Sequence, residues 1–144
     1  MKRNDDPIEL DYVLNASPEE VWYALTDHSR MIRWYFDNIP EFKAEVGFET
    51  AFMVENPPRK FTHHWVVTEV VPGEKISYEW TFTEWKGKSV SRFIIEPGSG
   101  GTCVLHVIVE VLEDFNDGIL EFERNSCIGG WNYFIGERLK GYLE

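Results

Sequence analysis

The 144-residue chain is the size of one domain, and its 43% hydrophobic content is enough for a core. With 14 Lys and Arg against 25 Asp and Glu, the formal charge is −11, which repels nucleic-acid phosphates and anionic lipid surfaces and sets those partners aside. An aromatic share of 15%, with six Trp, calls for large flat side chains in a core or along a pocket wall.

Ile8, Leu10, Tyr12 and Leu14 alternate with Glu9 and Asp11, the period-two pattern of a strand with one buried face. Ser17-Pro18-Glu19-Glu20 then reads as a helix start. Ser17 can cap free N–H groups, Pro18 suits the first helical position, and Glu20 stands three residues after the cap. Val21, Trp22 and Leu25 mark its buried stripe. Asp27-His28-Ser29 interrupts it before a second apolar turn, Met31 to Phe36, so two short helices or one broken helix follow the first strand.

Phe48, Thr50, Phe52 and Val54 share a strand face that stops at Asn56-Pro57-Pro58-Arg59. Phe61, His63, Trp65 and Val67 alternate as far as Pro72-Gly73, the pair expected at the centre of a type II turn. Ile76, Tyr78, Trp80 and Phe82 face one way on the next strand, and Trp85-Lys86-Gly87-Lys88 reads as its hairpin. Ser91, Phe93 and Ile95 oppose Val90, Arg92 and Ile94 before the glycine-rich turn Pro97 to Gly101. The last strand runs from Thr102 to about Val111. After an acidic connection, Leu112 to Gly118, the residues Ile128, Trp131, Ile135, Leu139 and Tyr142 recur at helical spacing in a long closing helix. Gly129-Gly130 inside it costs about 1 kcal/mol each relative to Ala, which points to a bend or to close approach of the sheet or a ligand.

No repeat or linker divides the chain, so residues 1–144 are expected to form a single domain. No apolar segment follows Met1 to Asp6, and no run of about 18 apolar residues occurs; the expectation is a cytoplasmic protein without membrane insertion. Cys103 and Cys127 lack CxxC spacing and read as two reduced thiols.

His28, His63, His64 and His106 form neither HxH nor HExxH, and the neighbours His63 and His64 must point to opposite faces of a strand. No GxSxG, P-loop or GxGxxG occurs. Glu69, Glu79 and Glu84 lie on or near strands with no separation that marks an acid and base pair. No metal, cofactor or catalytic residue is expected. The aromatics share their faces with His63, Tyr78 and His106, the mixture of a mainly apolar site with a few placed polar groups. The expected ligand walls are Trp34, Phe36, Phe52, Trp65, Tyr78, Trp80, Phe93, Trp131 and Ile135, with His63 and His106 as polar contacts.

The ordered set Ala16 to Trp22, Leu25-Thr26-Asp27, Trp34-Tyr35-Phe36, Thr68-Glu69-Val70, Tyr78-Glu79-Trp80, Gly101-Thr102 and Gly130-Trp131 resembles the family of heat-shock-protein-90 ATPase activator homologues, from about Ile8 to Leu143. That family belongs to the START-like superfamily, related in fold to the birch-pollen allergens. The resemblance implies an α+β helix-grip fold, in which an antiparallel sheet of six or seven strands wraps a C-terminal helix around an internal apolar cavity. It implies no single activity, because members bind lipids, hydrophobic metabolites or polyketides, a few are cyclases or hydrolases, and the eukaryotic activators bind a chaperone.

The leading expectation is therefore a binder of a hydrophobic or amphipathic small molecule. The alternative is a stress-related interaction module that docks on a chaperone or another protein. A cyclase or hydrolase comes third, since it needs His63 or His106 within reach of a carboxylate or water in the cavity. In the inward parity that the resemblance suggests, Val104, His106 and Ile108 face the cavity. Cys103, Leu105, Val107, Val109 and Val111 then form an outer apolar stripe, and a homodimer burying Leu105, Val107 and Val109 is expected.

Overall fold

The capping box at Ser17 closes as the sequence predicts. In the computed structural model, which describes all residues 1–144, the Glu20 backbone N–H donates to Ser17 Oγ at 3.2 Å and the Ser17 N–H donates back to Glu20 Oε1 at 3.4 Å. Helix α1 (Pro18–Thr26) follows, and α2 (His28–Trp34) after a one-residue break. Together they bury Val21, Ala24, Leu25, Met31 and Trp34.

The β-patterned segments form one antiparallel sheet in the order β1-β6-β5-β4-β3-β2. Its strands are β1 (Ile8–Leu14), β2 (Glu49–Asn56), β3 (Arg59–Val71), β4 (Lys75–Phe82), β5 (Trp85–Pro97) and β6 (Cys103–Glu113). Between β3 and β4, the Glu74 N–H donates to the Val71 carbonyl at 2.9 Å while Gly73 takes φ +79°, the type II turn foreseen at Pro72-Gly73.

The β4–β5 hairpin differs from the expectation. Its turn is Thr83-Glu84, with Phe82 paired to Trp85, and it is held by the Glu84 carboxylate, which accepts from the Thr62 N–H at 2.7 Å. Gly87 instead lies within β5, one residue before a register shift between Lys88 and Ser89. Its φ is +115°, and a Cβ there would stand 2.4 Å from the Phe115 ring.

The closing helix crosses the concave face as α3 (Arg124–Tyr133), a π-helical stretch Phe134–Leu139, and α4 (Lys140–Leu143). Trp131, Ile135 and Leu139 are its buried residues. A spacing of four overshoots the 3.6-residue turn by about 40° at each step. The wider π turn absorbs that overshoot and keeps Ile135 and Leu139 on the sheet side. Trp131 meets Phe93 at 5.4 Å and Trp80 at 6.0 Å between ring centroids, both edge to face.

The parity of β6 is the reverse of the expectation. Cys103, Leu105 and Val107 are fully buried, with Val109 and Val111 buried beside them, so the stripe read as a dimer face is part of the interior. His106 lies on the convex face, opposite Asp11 in the β1–β6 register. Its Nδ1 bonds Asp11 and its Nε2 bonds Glu96 at 2.7 Å. The physical reason is that both ring nitrogens face carboxylates; a charged imidazole bound this way belongs at the solvent side, and the alternation of the strand then turns the branched residues inward. With Leu105, Val107 and Val109 buried, the homodimer argued from their exposure is withdrawn. His106 is not a ligand contact.

Two consequences are measurable. Leu105→Ala should lose about 2–5 kcal/mol in urea unfolding, and Leu105→Arg should fail to fold rather than yield a folded monomer. The two carboxylate bonds raise the His106 pKa above 6.5 in the folded state. Its contribution to stability is therefore complete below the unfolded value and is lost as pH rises through the raised one. The destabilisation caused by His106→Phe should be larger at about pH 6 than at about pH 9, and equal losses at both would contradict the ion-pair account.

Candidate functional site

The concave face is not filled from end to end. The main core lies beneath α1, α2 and the π-helical stretch, and a smaller cluster of Phe61, Val111, Phe115 and Phe122 lies toward the start of α3. Between them is a cavity of about 260 Å³. Its sheet wall carries Val54 from β2, Phe61 and His63 from β3, Trp80 and Phe82 from β4, Ser89 and Ser91 from β5, and Val109 from β6. Cys127, Gly130, Trp131 and Phe134 cover it from the closing helix. Tyr35 and Phe36, just after α2, border it on one side, and Phe115, Phe122 and Met1 on the other.

Small side chains on both layers keep this space open. Ser89 and Ser91 take inward positions on β5 where Phe93 and Ile95 fill the interior further along the strand. Across from them Gly130 offers no side chain, and a Cβ there would meet nothing within 4 Å. Gly130 thus leaves volume, and neither glycine of the pair admits a close contact, since a Cβ at Gly129 would also meet nothing within 4 Å.

His63 is the polar centre of the wall and is 8% exposed. The Trp80 indole N–H donates to its Nδ1 at 3.0 Å. An indole nitrogen can only donate, so Nδ1 is the acceptor and the ring proton sits on Nε2. The imidazole stacks on Phe52 at 5.0 Å with 11° between planes and meets the edge of Phe82 at 4.9 Å. Burial pushes its pKa down to about 4, against a weaker opposing pull from the Glu84 carboxylate. The ring is neutral at pH 7, and its Nε2–H lines the cavity without a partner in the protein, as do the Ser89 and Ser91 hydroxyls.

The rest of the wall is uncharged. Burial pushes the Cys127 thiol up to about 11, too high for a reactive thiolate. The Tyr35 and Tyr78 hydroxyls share a hydrogen bond of 3.2 Å, and burial raises both above the ordinary phenol value. Charge is confined to the rim. There Glu121 accepts from Arg59 Nε at 2.9 Å and Asn56 Nδ2 at 2.7 Å, a clasp between the β2–β3 hairpin and the short 3-10 turn Leu120–Phe122. The Met1 ammonium donates to the Phe122 carbonyl at 2.7 Å.

Of the side chains expected to contact a ligand, Phe36, His63, Trp80 and Trp131 line the cavity. Phe52, Trp65, Tyr78, Phe93 and Ile135 are buried in the adjoining core, with Trp65 Nε1 finding no hydrogen-bond partner. Trp34 is also core, its Nε1–H donating to the Ala24 carbonyl at 2.8 Å. No carboxylate hydrogen-bonds His63, and His106 is on the opposite face, bonded to Asp11 and Glu96. Sequence reasoning missed the residues that make room. The signal was available as small residues, Ser89 and Ser91, at inward parity. For Phe115 and Phe122, in a connection without periodicity, there was none.

Known proteins share this architecture. The family model described as Activator of Hsp90 ATPase homolog 1-like protein matches residues 15–144. A solved structure from Chromobacterium violaceum is similar with a TM-score of 0.77 at 26% identity, over 96% of each chain. The Aha1 dimer from Colwellia psychrerythraea, determined in solution, gives a TM-score of 0.74 at 20% identity over 97% of each chain. DynU16, from the dynemicin biosynthetic locus, gives 0.74 at 24% identity, over 96% of this chain and 47% of its own. Comparison with curated proteins returns no match.

The two buried-face and open-face imidazoles should separate in an NMR titration. The His63 ring should protonate only near pH 4, whereas His106 should do so above 6.5. His63 also makes the fold acid-sensitive. Its folded value lies below the unfolded one, so the unfolded state binds more protons between them, and stability falls as pH drops from about 6.5 toward 4. A His63 resonance titrating near 6.5 would overturn the neutral-donor geometry.

Proposed function

We propose that this chain, which belongs to the family of Activator of Hsp90 ATPase homolog 1-like proteins, binds one hydrophobic or amphipathic small molecule between sheet and closing helix without transforming it. The observation that carries this reading is the cavity itself, a mainly apolar space with a few unpaired polar groups on one wall, as ligand sites are built. Its volume of about 260 Å³ is below the usual range for drug-sized ligands. It exceeds the roughly 150 Å³ apolar cavity that suffices for benzene, which favours a body of about two rings.

Family membership and the charge of −11 support a second reading, a stress-related module that docks on a basic surface of an Hsp90-type ATPase. Retention of the chain by such an ATPase, weakening between about 50 and 300 mM salt, would favour it. We read the protein as cytoplasmic; no helix is long and apolar enough to cross a membrane.

The binding reading is tested by fluorescence titration with the neutral apolar probe N-phenyl-1-naphthylamine, alongside native mass spectrometry of the protein as purified. One saturable site is expected. Gly130→Leu should weaken it at least tenfold without lowering the melting temperature, because the added side chain enters open space. A wild type that binds no probe and carries no small molecule would overturn the proposal.

A further inference from the structure

We infer that the ligand of this cavity is a flat, uncharged molecule carrying a carbonyl-type oxygen that accepts a hydrogen bond from His63 Nε2–H. The inference rests on the binding role proposed above and narrows it to a chemical class. It starts from an obligatory donor. Trp80 occupies His63 Nδ1 at 3.0 Å as a donor, and the ring is held flat against Phe52. The other tautomer would set two N–H groups against each other, and a flip of the ring would set the indole N–H against the Cδ2–H. The free proton is therefore fixed in position and cannot become an acceptor.

That donor has no partner in the protein, in a residue only 8% exposed, and an occupant that covered it without accepting from it would leave it desolvated and unpaired. Ser89 and Ser91 do not impose the same demand. Each hydroxyl can donate or accept and can rotate to suit the occupant. Ser89 stands directly opposite Trp80 in the β4–β5 register, which places these adaptable groups on the strand beyond the His63–Trp80 pair.

Charge is disfavoured on two grounds. An anionic ligand would have to shed its water into a wall with no free side-chain cation, since Arg59 is engaged by Glu121. The one uncompensated positive charge, the Met1 ammonium bonded to the neutral Phe122 carbonyl, stands at the rim. Nor does the wall offer a free carboxylate for a cationic ligand, since Glu121 already accepts from both Arg59 and Asn56. Flatness follows from the walls. Phe36, Trp80, Phe82, Trp131 and Phe134 present ring surfaces, against which a planar body buries the most area for its volume.

The test compares three naphthalenes of one shape by isothermal titration to the full chain: 2-acetylnaphthalene, 2-ethylnaphthalene and 2-naphthoate. The readout is the preference for the ketone over the hydrocarbon. It should fall about tenfold from wild type to His63→Phe, which keeps a ring on Phe52 but removes the donor, and naphthoate should bind at least tenfold more weakly than the ketone. A second measurement serves if the variant does not fold. In wild type, the ¹⁵N resonance of His63 Nε2 should shift when the ketone is added and stay in place with the hydrocarbon.

An unchanged preference in His63→Phe, an unmoved Nε2 resonance, or tighter binding of naphthoate would overturn the inference while leaving the binding role intact. Failure of all three compounds to bind would overturn both.

Discussion

The register between β1 and β6 decides which face of the sheet holds the interior. Asp11 pairs with His106, and the imidazole lies between the Asp11 and Glu96 carboxylates. Because side chains alternate along a strand, fixing His106 outside fixes Cys103, Leu105, Val107 and Val109 inside. β6 sits between β1 and β5, so its parity passes to both neighbours. The inward position of Ser91 follows, since it pairs with Val109. A slip of one residue would turn a lined cavity into a convex apolar surface, and the exposure of Leu105, Val107 and Val109 makes such a slip costly, with the loss of the outward ion pair a smaller addition.

Within that frame the cavity is a balance of large and small residues. Aromatic rings crowd the region between β3, β4 and the closing helix, with Trp65 in contact with Tyr35, Tyr78, Trp80 and Phe52. Packing of that density leaves no free volume by accident. The space appears where Ser89, Ser91 and Gly130 face one another across the two layers. Its single fixed polar direction comes from the Trp80–His63 hydrogen bond. That bond also links two physical properties of the ring, since the contact that orients the imidazole opposes its protonation.

Much of this architecture could be read from the chain. Period-two alternation found the first five strands, a branched apolar run found β6, the Ser17 capping box found α1, and the ordered family fragments gave the helix-grip arrangement. What could not be read was parity where both faces of a strand are apolar or branched. In β6, hydrophobicity alone does not separate Val104 and Ile108 from Leu105 and Val107, and the deciding information lay in Asp11 and Glu96, residues distant in sequence. The β4–β5 hairpin escaped for a related reason: Thr83-Glu84 carries no glycine or proline, and the Glu84 carboxylate holds the turn from outside it. Aromatic residues were legible as interior ones, but whether a ring touches a void or another ring depends on its neighbours' sizes. Trp34, Trp65 and Phe93 therefore turned out to be core.

The approach of Phe115 to Gly87 bears on how this scaffold can diversify. Phe115 packs so closely that a Cβ at position 87 would lie 2.4 Å from its ring and 2.9 Å from its Cα, so trimming the ring alone would not clear the main chain. On the other side of the cavity, Phe36 and Phe134 meet ring to ring at 4.8 Å, and exchanging either for a smaller residue alters the volume without forcing the main chain to move. Mutation can therefore recut the cavity at the Phe36 side one side chain at a time, while the Phe115 side is inherited as a unit. Lineages built on this frame would be expected to differ in how far a ligand extends toward α2, and to agree on where it stops at the other end.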